Sequence, residues 1–567
     1  MSSFEADRPA VNAVHSKWVV QKFGGTSVGK FALNIIEQVV QYVTPPPVLH
    51  APPFWDLASL TTELLLYAPQ EVIRQRLRVL LTGESSGYST TFDTHMLSIL
   101  NIVQDDENYR PCPNTYEYRL LRAARDAENP HSREYYTLVE AVRLEHVQVA
   151  QEQIQSVELR DQVVADINAE CEKVLKVLEA AQTLGEISAR CVDKVMSAGE
   201  KLSCRLMAAF LQDRGVDSQY VDLADVIDFP IGAHGLDQEF YNSLAAALGK
   251  LVAGCGHRVP VITGYFGTIP GGLLDQVGRG YTDLCAALVA VGTHAKELQV
   301  WKEVDGIFTA DPRKVPTARL LPAITPAEAA ELTFYGSEVI HPFTMEQVIR
   351  AKIPIRIKNV MNPKNRGTII FPDSTAELER TTPGHDPRLF RTRSPSFMQK
   401  PKRPTAVTIK HKILVINVHS NKRSLSHGFF AGIFSVLDKW RLSIDLISTS
   451  EVHVSMALHS EMPLLNGNGR DDYQVIDDDL KGALNDLAKY GTVDIIPEMA
   501  ILSLVGKQMK NMIGVAGRMF TTLGENNVNI EMISQGASEI NISCVIEERD
   551  ADRALNIIHT SMFTFLD

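Results

Sequence analysis

The sequence predicts an α/β protein in two parts: a mainly parallel sheet flanked by helices, then a linker and two copies of a β-α-β-β unit. Three observations predict it. A run of β-formers ends in a glycine turn and a helix near the start; short apolar strands alternate with helices over 191–371; and the chain repeats its own pattern after 405.

The elements follow in order. "KWVVQKF" has β-branched residues at strand spacing, and "FALNIIEQVVQYV" behind it has apolar residues at helical spacing. Residues 45–113 change character, with "TPPPVLHAPPFWD" and the Gly/Ser/Thr-rich "LLTGESSGYSTTFDTHM", and show no strand–helix rhythm. Helical periodicity returns over 119–190, as in "LVEAVRLEHVQVAQEQIQSV". Beyond it "SQYVDL", "VPVITGYFG", "ELQVWKE" and "IPIRIKN" read as strands. "AGEKLSCRLMAAFLQDRG" and "TDLCAALVAVGTHA" read as helices, the first placing Glu200 at a helix start. The proline-rich, polar stretch 372–404 is a linker. After it "LSIDLISTSEVHVSMAL" matches "VNIEMISQGASEINISCVI", and each copy follows a strand and a helix of the same order.

Composition bounds the function. At 567 residues the chain has room for two to four domains, and 45% apolar with 22% charged residues is ordinary for a globular protein. A net charge of −12 argues against a general nucleic-acid or membrane surface, so an anionic ligand must meet a local positive site. Seven scattered cysteines without a C-x-x-C pair suggest buried thiols in a reducing cytosol. The N-terminus lacks the apolar core of a signal peptide, and no apolar run reaches the ~18 residues of a membrane span, so a cytoplasmic location is expected.

Two anion sites stand out. In "WVVQKFGGTSVGK" Gly24 and Gly25 let free backbone N–H groups approach a ligand ahead of a helix, Lys22 adds a full charge, and Thr26 and Ser27 add hydroxyls. The spacing is not that of a Walker loop, and the expected ligand is phosphate. In "VGRGYTDLCAALVA" Arg279 stands between two glycines, suited to grip a carboxylate through two parallel bonds; Thr282 and Asp283 follow in the first helical turn, where capping is the structural alternative. Glu200 in "MSAGEKLS" either complements a helix dipole or binds an ammonium group. "WKEVDGIFTADPRKVP" is a turn-rich loop carrying Lys302, Arg313 and Lys314, either solvated or gripping a nucleotide.

In this order "KFGGTSVGK", "SAGEKLS", "GRGYTDLCAAL", "WKEVDGIFTADPRKV", "YGSEVIHPFTM" and "IPIRIKN…GTII", followed by two ACT-like repeats, resemble the aspartate kinases, and the fungal monofunctional form most closely. The resemblance covers 17–43, about 119–371, and 405 to the end. It implies the amino-acid-kinase fold, an open αβα sandwich with a mainly parallel sheet over 17–371, joined through 372–404 to ACT units at 405–490 and 491–567. It implies transfer of the γ-phosphoryl of Mg-ATP to the side-chain carboxylate of L-aspartate, with feedback inhibition through the ACT units. Lys22, Gly24 and Gly25 match the phosphate turn, and Asp283 the acidic partner that orders the lysine. Lys302, Phe308 and Arg313 fall where the family binds ATP. Thr26 and Ser27 with Glu200, Arg279 and Thr282 match substrate-binding positions, Glu200 holding the ammonium and Arg279 the α-carboxylate.

The resemblance further implies threonine as effector; candidate positions for it are Ser420 to His427, where the first repeat's helix begins, Ser448 to Glu451, and Asn529 and Gln535 in the second repeat. A homo-oligomer joined through the ACT units is expected, with no nucleic-acid or membrane partner and no protein-held metal. The chain departs from the family at 45–113, where a second strand and its serine-bearing loop are expected; "RVLLTGESSGYSTT" (78–91) is the only candidate for them. A catalytically impaired amino-acid sensor and another amino-acid kinase are the competing readings.

Overall fold

The computed structural model describes residues 18–23, 35–36, 116–231, 236–267, 269–277, 280–335, 340–372, 403–420, 428–459, 465–467, 473–475, 477–507, 509, 512–535 and 540–564. The expectations for 45–113, including the strand at 78–81, therefore lie outside the described residues, as does nearly all of the linker.

Among the described residues, in chain order, come strand β1 (Val19–Phe23) and helices α1 (Tyr116–Asp126), α2 (Glu134–Gln153), α3 (Val157–Leu184) and α4 (Ala189–Asp213). Then come β2 (Ser218–Val221), α5 (Gln238–Gly254), β3 (Val259–Ile262), α6 (Leu273–Val277), α7 (Tyr281–Gly292) and β4 (Glu297–Lys302). Next are β5 (Ala323–Ile324), α8 (Pro326–Phe334), α9 (Pro342–Arg350), β6 (Ile355–Asn359) and β7 (Thr368–Ile370). The C-terminal part holds β8 (Ala406–Ser420), α10 (Phe429–Lys439), β9 (Leu446–Ser450), β10 (His453–His459), the hairpin β11 (Leu465–Gly467) and β12 (Tyr473–Val475), and α11 (Asp478–Leu487). It ends with β13 (Gly491–Val505), α12 (Val515–Glu525), β14 (Met532–Ser534), β15 (Asn541–Glu547) and α13 (Ala551–His559).

The chain divides into two compact units. The first contains β1, Arg110–Val304 and Phe343–Asn365. Its strands β1, β4 and β6 are parallel, with Lys22 opposite Val300 and Trp301 opposite Lys358. Strands β2 and β3 form a second parallel pair. Helices α2 to α4 bury one apolar face, with Val139, Ile167, Leu178, Leu202 and Phe210 almost wholly enclosed. Helices α5 and α7 cross where both carry glycine. A Cβ on Gly292 would lie 1.9 Å from the Ala245 carbonyl oxygen, so the two backbones touch only because side chains are absent.

The second unit contains Asp305–Pro342 and Arg366–Asp567. Its six-stranded antiparallel sheet has the order β14-β15-β13-β8-β10-β9. The two repeats join along β8 and β13, from Gly491 opposite Ser420 to Val505 opposite Ala406. Register shifts between Ile496 and Ile501 bracket Pro497, which has no N–H to give the ladder. Each repeat has a further helix after its last strand, α11 in the first and α13 in the second.

Segment 305–342 is part of this unit. The Glu328 side chain completes a capping box with Thr325 and also accepts from the Thr405 hydroxyl at 2.5 Å and the Lys507 N–H at 2.9 Å. Residues 366–371 fall in the same unit.

Candidate active site

In the first unit, parallel pairing brings the C-terminal ends of β1 and β4 to one edge, the edge of an open α/β sheet where ligands bind. Lys22 is next to last in β1 and Lys302 is last in β4, where its carbonyl accepts from the Val360 N–H at 2.9 Å. Helix α7 starts at this edge, and Asp283 in its first turn meets the Lys22 ammonium at 2.5 Å. Both side chains are nearly buried, so the charges face each other with little water between them to weaken the attraction.

Glu200 requires a correction. It does not stand at a helix start but near the middle of α4, whose N-cap is Ser188. Gly199 lies inside the helix, so the helix dipole does not explain the carboxylate. One Glu200 oxygen accepts from the Tyr281 hydroxyl at 2.6 Å, and the other from the Tyr265 N–H at 2.7 Å. A Cβ on Gly264 would lie 2.6 Å from the Thr282 methyl and 3.0 Å from Glu200 Oε2. Gly264, Tyr265 and Tyr281 thus set the position of Glu200 and bring it beside Thr282. Sequence reasoning missed all three; the available signals were a tyrosine at the first position of a buried helix and the small Thr-Gly pair after a strand.

A second carboxylate, Asp193, accepts from the Leu273 N–H and, at 3.2 Å, from the Leu274 N–H, anchoring the start of α6. The thiols of Cys204 and Cys285 are pushed up by burial, with the Glu200 carboxylate adding to the shift, so both stay neutral and neither is a nucleophile.

Phe308 and Arg313 lie in the second unit. Phe308 bridges Leu320 across a closed loop. Arg313, at the exposed tip, donates to Asp311 through Nε and Nη2, both at 3.1 Å. Burial alone would raise the Asp311 carboxyl; the hydrogen bonds from Arg313 outweigh it and hold the group below its ordinary range. Gly24, Gly25, Thr26, Ser27 and Arg279 lie outside the described residues.

Of the expected effector positions, Ser420 ends β8 and its N–H donates to the Val452 carbonyl. Ser448 is exposed on β9, and Glu451 is exposed in the turn after it. Asn529 donates to Glu531 at 3.0 Å, Gln535 is exposed, and His427 lies outside the described residues. Among the described residues no helix is long and apolar enough to cross a membrane.

Fold and site together define an amino-acid kinase carrying ACT units. The model of the Amino acid kinase family matches residues 132–359, and that of the ACT domain matches residues 502–562. The aspartokinase of Candida albicans is 48% identical over 554 residues, covering 96% of this chain and 90% of its own. That of Schizosaccharomyces pombe is 47% identical over 545 residues, covering 96% and 92%. The chain belongs to the aspartokinase family, and it is a kinase. Among solved structures, Escherichia coli aspartokinase III in complex with aspartate and ADP shares the fold, at a TM-score of 0.62 and 23% identity, covering 96% of this chain and 99% of that one. These relatives do not favour the reading as a different amino-acid kinase or as a sensor that has lost its activity.

Proposed function

We propose that this chain transfers the γ-phosphoryl group of Mg-ATP to the side-chain carboxylate of L-aspartate, giving 4-phospho-L-aspartate and ADP. The observation that carries the reading is the nearly buried Lys22–Asp283 pair at the carboxyl ends of parallel strands, beside the first turn of α7. A carboxylate oxygen attacks Pγ, the bond from Pγ to the β–γ bridging oxygen breaks, and its electron pair leaves with ADP. The nucleophile is already ionised at neutral pH, so no general base is needed, and positioning and charge neutralisation supply the rate.

Lys22, near the end of β1, stabilises the transferring phosphoryl together with the backbone N–H groups of Gly24 and Gly25, and Asp283 holds its ammonium in place. Glu200 receives the substrate ammonium, Arg279 clamps the α-carboxylate, and Thr26, Ser27 and Thr282 line the same pocket. Lys302, Phe308 and Arg313 hold the nucleotide, whose phosphates bring Mg²⁺ as their counterion. The ACT pair binds threonine as feedback effector near Ser420, Ser448 and Glu451, and joins chains into a homo-oligomer. These roles are supported by the match of each residue to its motif and, for Lys22 and Glu200, by partners that fix the side chain.

Hydroxylamine trapping tests the reaction. The acyl phosphate yields a hydroxamate when ATP and L-aspartate are both present, whereas L-glutamate yields none. ADP release without an aspartate-dependent hydroxamate refutes the proposal. Inhibition by threonine, measured in the same assay, tests the effector.

A further inference from the structure

Within the second unit the loop 305–321 is fastened to the C-terminal repeat. Its ends are closed by the Phe308–Leu320 bridge, by Thr309 N–H to Arg319 O at 2.9 Å and by Leu321 N–H to Ile307 O at 2.8 Å. The Thr309 carbonyl accepts from the Val407 N–H of β8 at 2.9 Å, and Ala310 and Val315 enter the core beside Val407, Leu502 and Ile558.

His559, the last residue of α13, is fully buried and contacts both arms of the loop. Its Nε2 lies 2.9 Å from Thr309 Oγ1, and its Nδ1 lies 3.2 Å from Thr317 Oγ1. A neutral imidazole satisfies both contacts: its one N–H donates to one threonine, and its bare nitrogen accepts from the hydroxyl of the other. Burial, aided by the charge of Arg319, lowers the proton affinity of the ring and favours that neutral form. The ring also stacks on Phe563 at 5.0 Å, while Asn556, one turn earlier, donates to the Lys314 carbonyl at 3.0 Å. Lys314 in turn meets Asp552 of α13 at 2.8 Å and His411 of β8 at 2.5 Å. The exposed tip carrying Arg313 therefore stands on a base fixed by the second repeat.

We propose that His559 is a positioning residue for the nucleotide loop, and that through it the second ACT repeat sets the affinity for ATP. The inference rests on the reading of 305–321 as the loop that holds the nucleotide. A movement of α13 relative to β8 draws on Thr309 and Thr317 at once, so it shifts Phe308 and Arg313 together.

The test uses the full chain with ATP, L-aspartate and threonine. His559→Phe keeps a ring against Phe563 and removes both hydrogen bonds; Thr317→Val removes one from the opposite side with little change in volume. We expect His559→Phe to raise the KM for ATP about tenfold, the equivalent of about 1.4 kcal/mol, and Thr317→Val about threefold. The KM for aspartate should stay within about twofold. His559→Gln, whose amide reaches Thr309 in place of Nε2, should recover part of the ATP affinity. The threonine concentration for half-inhibition should shift in the same variants. Where His559→Phe fails to fold, Thr317→Val carries the test. A lowered Tm with an unchanged KM for ATP, or equal changes in both KM values, overturns the inference. Arg313→Ala separates it from the reading beneath: a raised KM for ATP in that variant supports the loop assignment whatever His559 does, and an unchanged one removes the assignment and the inference together.

Discussion

Replacing Asp283 by asparagine keeps the shape of the side chain and removes the charge facing Lys22. The Lys22 and Asp283 side chains are 12% and 9% exposed, so little water reaches the pair. Breaking a buried pair from one side costs about 3–5 kcal/mol. A second route gives an upper bound: taking the proton from an ordinary lysine at pH 7 costs about 5 kcal/mol, and the chain has no reason to suffer more than that. Asp283→Asn should therefore lose about 3–5 kcal/mol in urea unfolding of the first unit. It should also lower kcat about 10²- to 10³-fold, the effect of losing a preorganised charge arrangement. Lys22→Met added to Asp283→Asn removes both charges. The double variant should regain about 2 kcal/mol over Asp283→Asn and remain inactive, the non-additivity expected of residues in direct contact. Asp283→Asn with wild-type stability and kcat within about threefold refutes the reasoning.

Other changes give separate tests. Gly264→Ala puts a methyl 2.6 Å from the Thr282 side chain and 3.0 Å from Glu200 Oε2, and should raise the KM for aspartate about tenfold with less effect on ATP, read by steady-state kinetics. Gly292→Ala drives a methyl to 1.9 Å from the Ala245 carbonyl oxygen; it should cost about 1–3 kcal/mol or more, seen as a lowered Tm with substrate affinities unchanged in the protein that folds. His146, buried in α2, is pushed down to about 4 by burial. The unfolded chain takes up that proton below about pH 6.5 and the folded chain does not, so stability is full above pH 6.5 and falls by about 1.4 kcal/mol per pH unit toward pH 4. His146→Leu should flatten that part of the urea-stability profile.

Strand β1, helix α7 and the repeat pair were legible in the sequence because hydrophobic period and turn residues specify them locally. Asp283 in the first turn of α7 was legible for the same reason. The start of α4 was not. Met196-Ser-Ala-Gly looks like a break, but the apolar period runs back to Ala189 and Ser188 supplies the cap, so Gly199 is carried by tertiary packing. The Tyr281 and Tyr265 contacts to Glu200 join residues 81 and 65 positions apart, and no local pattern encodes such a meeting. The fastening of the 305–321 loop was hidden likewise: a turn-rich loop with two threonines looks solvated until the histidine that covers it is known.

The distance along the chain between Thr309 and His559 has a consequence for synthesis on the ribosome. The two residues are 250 positions apart, and translation at about 5–20 residues per second leaves about 12–50 s between them. Through that interval Ala310 and Val315 emerge before Leu555 and Ile558, the side chains that will cover them. The nascent chain thus presents a half-built apolar surface through that interval, the state in which chaperones bind and proteases cut. A premature stop between Val315 and α13 leaves those side chains without Leu555 and Ile558, so such truncated products should be cleared rather than accumulate as unregulated kinase.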